Sequence, residues 1–212
     1  MVCPICQKRK AKRYCPARVE NICSVCCGTE REVSIDCPSD CAYLVASREY
    51  DDERRVIDWK KVPFPEVRIP GRFAHDHGEL VAALTHTLLL FARDHRALVD
   101  SDAVAVLQTL AETYRTLSSG LYYERPPDYA LQRELYEALK AALEEFKKRE
   151  QNKVGVTSTR ESEIRDALVL LTQVGATRTN GRPKGRAFLD FLRSHFLPEE
   201  IGKPESKIIL AP

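Results

Sequence analysis

The sequence predicts a mainly α protein: a small cysteine-built module followed by an α-helical bundle. Two observations predict it. All eight cysteines fall within the first 41 of 212 residues, and none occurs later. From Leu80 onward, apolar residues recur at helical spacing in runs separated by acidic, Ser, Gly or Pro punctuation. The chain divides into a cysteine module (1–45), a helix and Pro-rich linker (46–72), a bundle of about five helices (73–200) and an extended tail (201–212).

The cysteines are Cys3, Cys6, Cys15, Cys23, Cys26, Cys27, Cys37 and Cys41. Cys3/Cys6 and Cys23/Cys26 are Cys-x-x-Cys knuckles, each placing two sulfurs on one side of a tight turn, and Cys37/Cys41 is a Cys-x-x-x-Cys pair. Structural zinc takes four soft or borderline ligands in a closed tetrahedron, so eight thiols suit two structural Zn²⁺ ions. The preferred wiring puts Cys3, Cys6, Cys23 and Cys26 on one ion and Cys15, Cys27, Cys37 and Cys41 on the other. The ligand sets alternate, which is a cross-brace, and the doublet Cys26-Cys27 leaves open which of the two serves which ion. Gly28 is expected to relieve the turn after the second knuckle. A disulfide framework is the competing reading, since eight is an even number. Against it stand a start, Met1-Val2-Cys3-Pro4, unlike a secretory signal, and a long Cys-free region that needs no staples.

The series Cys3-x2-Cys6-x8-Cys15-x7-Cys23-x2-Cys26 with a terminal ligand pair resembles the B-box type of cross-brace zinc finger over roughly the first fifth of the chain. The resemblance implies a small interaction module without catalysis. Two positions depart from it: Arg18 stands where a ligand is usual, and the last pair is Cys37 and Cys41 rather than histidine.

A chain that is 43% hydrophobic and 30% charged reads as soluble and globular. Its greasiest run, Ala82 to Ala92, is broken by Thr85, His86 and Thr87, so no membrane partner is expected. The free thiols suggest a cytoplasmic location. The formal charge is +2. Two tetrathiolate zinc sites would take it to about −2, so any case for nucleic acid rests on local patches.

Two such patches exist. Lys8, Arg9, Lys10, Lys12 and Arg13, with Arg18 beyond, form a run without an acid. It is either a solvated loop that offsets the thiolates or a contact surface. Arg178, Arg182, Lys184 and Arg186 flank a Gly-Arg-Pro-Lys core that looks like an AT-hook, with Asn180 where an arginine belongs. Helical pattern resumes at once at Arg186 or Ala187, which favours a tight basic interhelical loop.

Between the patches, a helix is expected over Cys41 to Lys61, with Tyr43, Leu44, Ala46 and Tyr50 inward. Val62 to Gly71 reads as an extended linker pinned by Trp59 and Phe64. Asp76 with Glu79 is a capping box opening the next helix, which outweighs a metal reading of His75-Asp76-His77. Asp100-Ser101-Asp102 starts a helix that Gly120 ends, and Asp128 starts the longest, running to about Gln151. Ser158 with Glu161 is a second capping box. The chain has no phosphate-cradling glycine loop, no Gly-x-Ser-x-Gly and no His-Glu-x-x-His. Four sulfurs per ion leave no position to activate water. The functional expectation is a non-catalytic zinc-binding adaptor whose module shows its basic surface to a protein partner. The alternative is an RNA- or DNA-binding regulator using both basic stretches.

Overall fold

The computed structural model describes residues 1–155 and 159–202. The tail beyond 202 and the Ser158 capping position lie outside them. The chain is mainly α, as expected: nine helices and one two-stranded sheet among the described residues.

Strands β1 (Arg13–Cys15) and β2 (Glu20–Ile22) form an antiparallel hairpin pairing Arg13 with Ile22, Tyr14 with Asn21 and Cys15 with Glu20. Helix α1 (Ser24–Glu30) follows. Gly28 lies inside α1, not in a turn, with ordinary backbone and open space around it. Cys3, Cys15, Ile22, Cys23, Cys26 and Ile35 form a small core of their own. So few apolar groups cannot order a segment of this length by burial alone, which is why such modules need a crosslink or a metal.

Helix α2 (Ala42–Glu53) is shorter than expected, and Cys41 is its N-cap. Only Leu44 is buried, while Tyr43 and Tyr50 are exposed. Its docking is instead polar, through Arg48. The linker is pinned by Phe64, which joins the bundle core, and by Gln173, whose amide donates to the carbonyls of Pro63 and Phe64. Trp59 takes no part and is 63% exposed.

The bundle comprises α3 (Phe73–Asp76), α4 (Gly78–Asp94), α5 (Asp100–Ser118), α6 (Ala130–Val154), α7 (Glu161–Arg178), α8 (Ala187–Arg193) and α9 (Pro198–Ile201). α5 packs along α7, and α6 closes against α4 and α5. The core holds Leu80, Leu84, Leu88, Leu107, Leu110, Leu135, Leu139, Leu143, Ile164, Leu168 and Phe188, the i, i+3/i+4 stripes that the sequence shows. The Asp76–Glu79 capping box does not form: α3 and α4 abut, His77 caps α4 without a side-chain bond, and its ring stacks on Phe73. α7 starts at Glu161, where Glu163 accepts the backbone N–H of Arg160 at 2.8 Å. No helix of the described residues is long and apolar enough to cross a membrane.

Candidate metal centre

The Sγ atoms of Cys3, Cys6, Cys23 and Cys26 all lie within 4.8 Å of one another, with Cys6 and Cys23 3.9 Å apart. A tetrahedron with zinc–sulfur bonds of about 2.3 Å has sulfurs about 3.8 Å apart, so the group is near ligating size. Local structure positions each sulfur. The first knuckle turns at Gln7, whose N–H donates to the Cys3 carbonyl at 2.8 Å and whose φ is +51°. The second knuckle is the start of α1, with Cys23 as N-cap accepting the Cys26 N–H at 3.3 Å. The Cys23 N–H donates to Cys3 Sγ at 3.2 Å and ties the two knuckles together.

This geometry settles the doublet for the first group. Cys26 belongs to it; Cys27 is one residue on, about 100° further round the helix, and its sulfur instead accepts from the buried Arg31 guanidinium at 3.8 Å. The four thiols are strongly differentiated. Burial pushes Cys3 up, but the N–H groups of Cys6, Cys23 and Ile5 outweigh it and hold the thiol below its ordinary value. The N–H groups of Lys8 and Arg9 bring Cys6 down to about 6. Burial and the three neighbouring sulfurs push Cys26 up to about 12. Four thiolates this close repel, and a divalent cation is what lets all four ionise together.

The other expected set is not gathered in this way: among the described residues, Cys15, Cys27, Cys37 and Cys41 do not converge to ligating distance. Three of them are nonetheless neighbours. Burial pushes Cys37 up, the Glu32 N–H opposes this, and charge on Cys41 and Cys15 adds to the rise. All eight cysteines are free thiols.

The two basic stretches have different fates. Lys8, Arg9, Lys10 and Lys12 are exposed and have no acidic partner among the described residues. Lys10, Lys12 and Tyr14 point outward along one extended run, while Ala11, Arg13 and Cys15 alternate inward. Arg13 lies over the Tyr43 ring at 4.6 Å. The Arg178–Arg186 stretch is a basic interhelical loop between α7 and α8, engaged inside the protein. Arg178 meets Asp52 at 3.6 Å and covers Phe191. Arg182 donates to the carbonyls of Gly28 and Arg31, Lys184 to that of Ser34, and Arg186 to Asp36 and to the carbonyls of Arg96 and Leu98.

At the centre of this joint is Glu32, 1% exposed. Its carboxylate accepts from Arg48 at 2.7 Å, from the Asn180 amide at 2.6 Å and from the Arg186 N–H at 3.4 Å. Its carbonyl accepts the Lys184 N–H at 2.8 Å. Arg48 reaches on to Asp190 at 2.6 Å. Sequence reasoning missed Glu32 and Arg48. Nothing in their local context marks them, because the partners come from 16 to 154 residues away.

Fold and site together define a four-cysteine group able to hold a metal ion, in a small module clasped to a helical bundle. Comparison with known protein families, with curated proteins and with solved structures found no match.

Proposed function

We propose that this is a non-catalytic, cytoplasmic zinc-binding interaction protein whose N-terminal module offers a cationic face to an acidic surface on a protein partner. In this reading Cys3, Cys6, Cys23 and Cys26 hold one structural zinc. A second ion draws in Cys15, Cys37, Cys41 and Cys27, completing a B-box-like cross-brace. Four soft thiolates with no open position favour zinc over harder cations and over catalysis. The metal's role is to make a short segment rigid enough to present a surface.

The observation that carries the reading is the contrast between the basic stretches. Lys8, Arg9, Lys10 and Lys12 face solvent without carboxylates, while Arg182, Lys184 and Arg186 are spent holding the module to the bundle. The nucleic-acid reading needs both stretches to meet phosphates, and one of them is committed elsewhere. Copurification of the tagged full chain with nuclease treatment tests this. A stoichiometric protein that survives nuclease and is lost in a Lys8→Glu/Lys10→Glu/Lys12→Glu variant is the expected result. Recovery of nuclease-sensitive material alone, released steeply by salt, would replace it with the nucleic-acid reading. Elemental analysis of the purified chain counts the ions: two zincs are expected, falling to one in Cys15→Ser. A single zinc in both would remove the second site.

A further inference from the structure

Where the module meets the bundle there is an open cleft of about 670 Å³. One wall is Pro16, Ala17 and the Asp36–Ser39 segment; the other comes from the end of α4 and from α8 and α9. Ala92, Phe196, Pro198 and Ile201 supply an apolar floor. Four arginines line the space (Arg93, Arg96, Arg186 and Arg193), against one carboxylate, Asp36. Asp36 is already taken by Arg186 at 2.5 Å. Arg93 is held by Asp94 and the Ile201 carbonyl. Among the described residues, Arg193 engages Asp190 through Nη1 and keeps its other donors. Arg96 is exposed and has no side-chain partner among the described residues.

A cleft of this size suits a small molecule, for which the usual range is about 300–1,000 Å³. Guanidinium groups present forked donors that match phosphate oxygens. The half-buried Phe196 and the exposed Pro198 beside them offer a surface for a flat ring. We propose that this cleft binds a small ligand joining a phosphate to a flat ring, of the chemical class of a mononucleotide. Arg96 and Arg193 take the phosphate, and Phe196 and Pro198 carry the ring. The site is separate from the cationic face on Lys8 to Lys12 and does not depend on the partner assigned to that face.

Calorimetric titration of the zinc-loaded full chain with AMP, adenosine and inorganic phosphate tests the proposal. AMP should bind saturably, one per chain, with Kd below about 1 mM, and adenosine and phosphate should each bind at least about tenfold more weakly. Arg96→Ala should weaken AMP about tenfold or more, the loss of a charged hydrogen-bonding partner, without changing thermal stability, since the Arg96 side chain meets no other group among the described residues and its carbonyl, which accepts from Arg186, is kept. Arg193→Lys keeps the Asp190 ion pair but removes the fork, and should also weaken AMP. Lys10→Ala/Lys12→Ala should bind AMP as the parent does. Absence of saturable AMP binding, or equal binding by the parent and Arg96→Ala, would overturn the proposal. So would loss of binding in the lysine variant.

Discussion

Two buried acids carry much of the structural logic, and they behave differently. Asp100 is 1% exposed and accepts the N–H groups of Phe188 and Leu189 at 3.0 and 3.1 Å, anchoring the start of α8. Burial pushes its carboxyl up from 3.8 to about 6, with the two N–H bonds opposing the rise. A carboxyl with a raised folded-state value binds more protons folded than unfolded between those two pH values. Stability from this group should therefore be fully present below about pH 4 and fall as pH rises to about 6, by on the order of 2–3 kcal/mol. Urea unfolding of the parent and Asp100→Asn across that range measures it: the difference between the two should change over pH 4–6 and stay flat above. Glu32 is instead surrounded by donors on three sides. Glu32→Ala leaves Arg48 and Asn180 without their acceptor and should cost about 3–5 kcal/mol in denaturant unfolding, whereas Glu32→Gln, which keeps an acceptor, should cost less. Equal losses in the two variants would mean that charge at Glu32, not its hydrogen bonds, holds the joint. Neither role is legible in the sequence, where Asp100 reads as an ordinary helix start and no local pattern singles out Glu32.

At the scale of elements, the helices were legible wherever they bury an apolar stripe. The lines Leu80–Leu84–Leu88 and Leu135–Leu139–Leu143 are the core-facing residues of α4 and α6. They failed to be legible where polar geometry decides. α2 is expected to turn Tyr43, Leu44, Ala46 and Tyr50 inward, yet of these only Leu44 is buried, and Arg48 supplies the polar hold. The Asp76–Glu79 spacing matched a cap that the abutting α3 pre-empts. The close approach of α5, α7 and α8 was invisible for another reason: it depends on a missing side chain. A Cβ on Gly175 would stand 2.6 Å from Val104 Cγ2 and 3.1 Å from the Phe188 ring. Gly175 is mid-helix, where alanine would ordinarily gain up to about 1 kcal/mol. Here the overlap should dominate, and Gly175→Ala should destabilise by about 1–3 kcal/mol. A thermal midpoint raised by that substitution would show that the three helices part easily.

At the scale of the whole molecule, the cysteine-rich segment and the helices bury two distinct apolar clusters. What the sequence hid is that a polar joint couples them, made by the basic interhelical loop between α7 and α8. The coupling has a consequence for metal removal. If the first group holds the zinc proposed for it, chelation or Cys3→Ser should release that ion and unfold β1, β2 and α1, while α4 to α7 keep the large core that folds them. Far-ultraviolet circular dichroism should therefore lose only the small contribution of the module. The bundle should not be indifferent, because Arg48, Arg182, Lys184 and Arg186 then lose Glu32, Asp36 and the module's carbonyls. If the joint contributes about 3 kcal/mol, the melting midpoint of the remaining helices should drop by about 10 °C. An unchanged midpoint would make the joint energetically idle. Collapse of the entire helical signal on chelation would show that the module and bundle fold as one cooperative unit despite their separate cores.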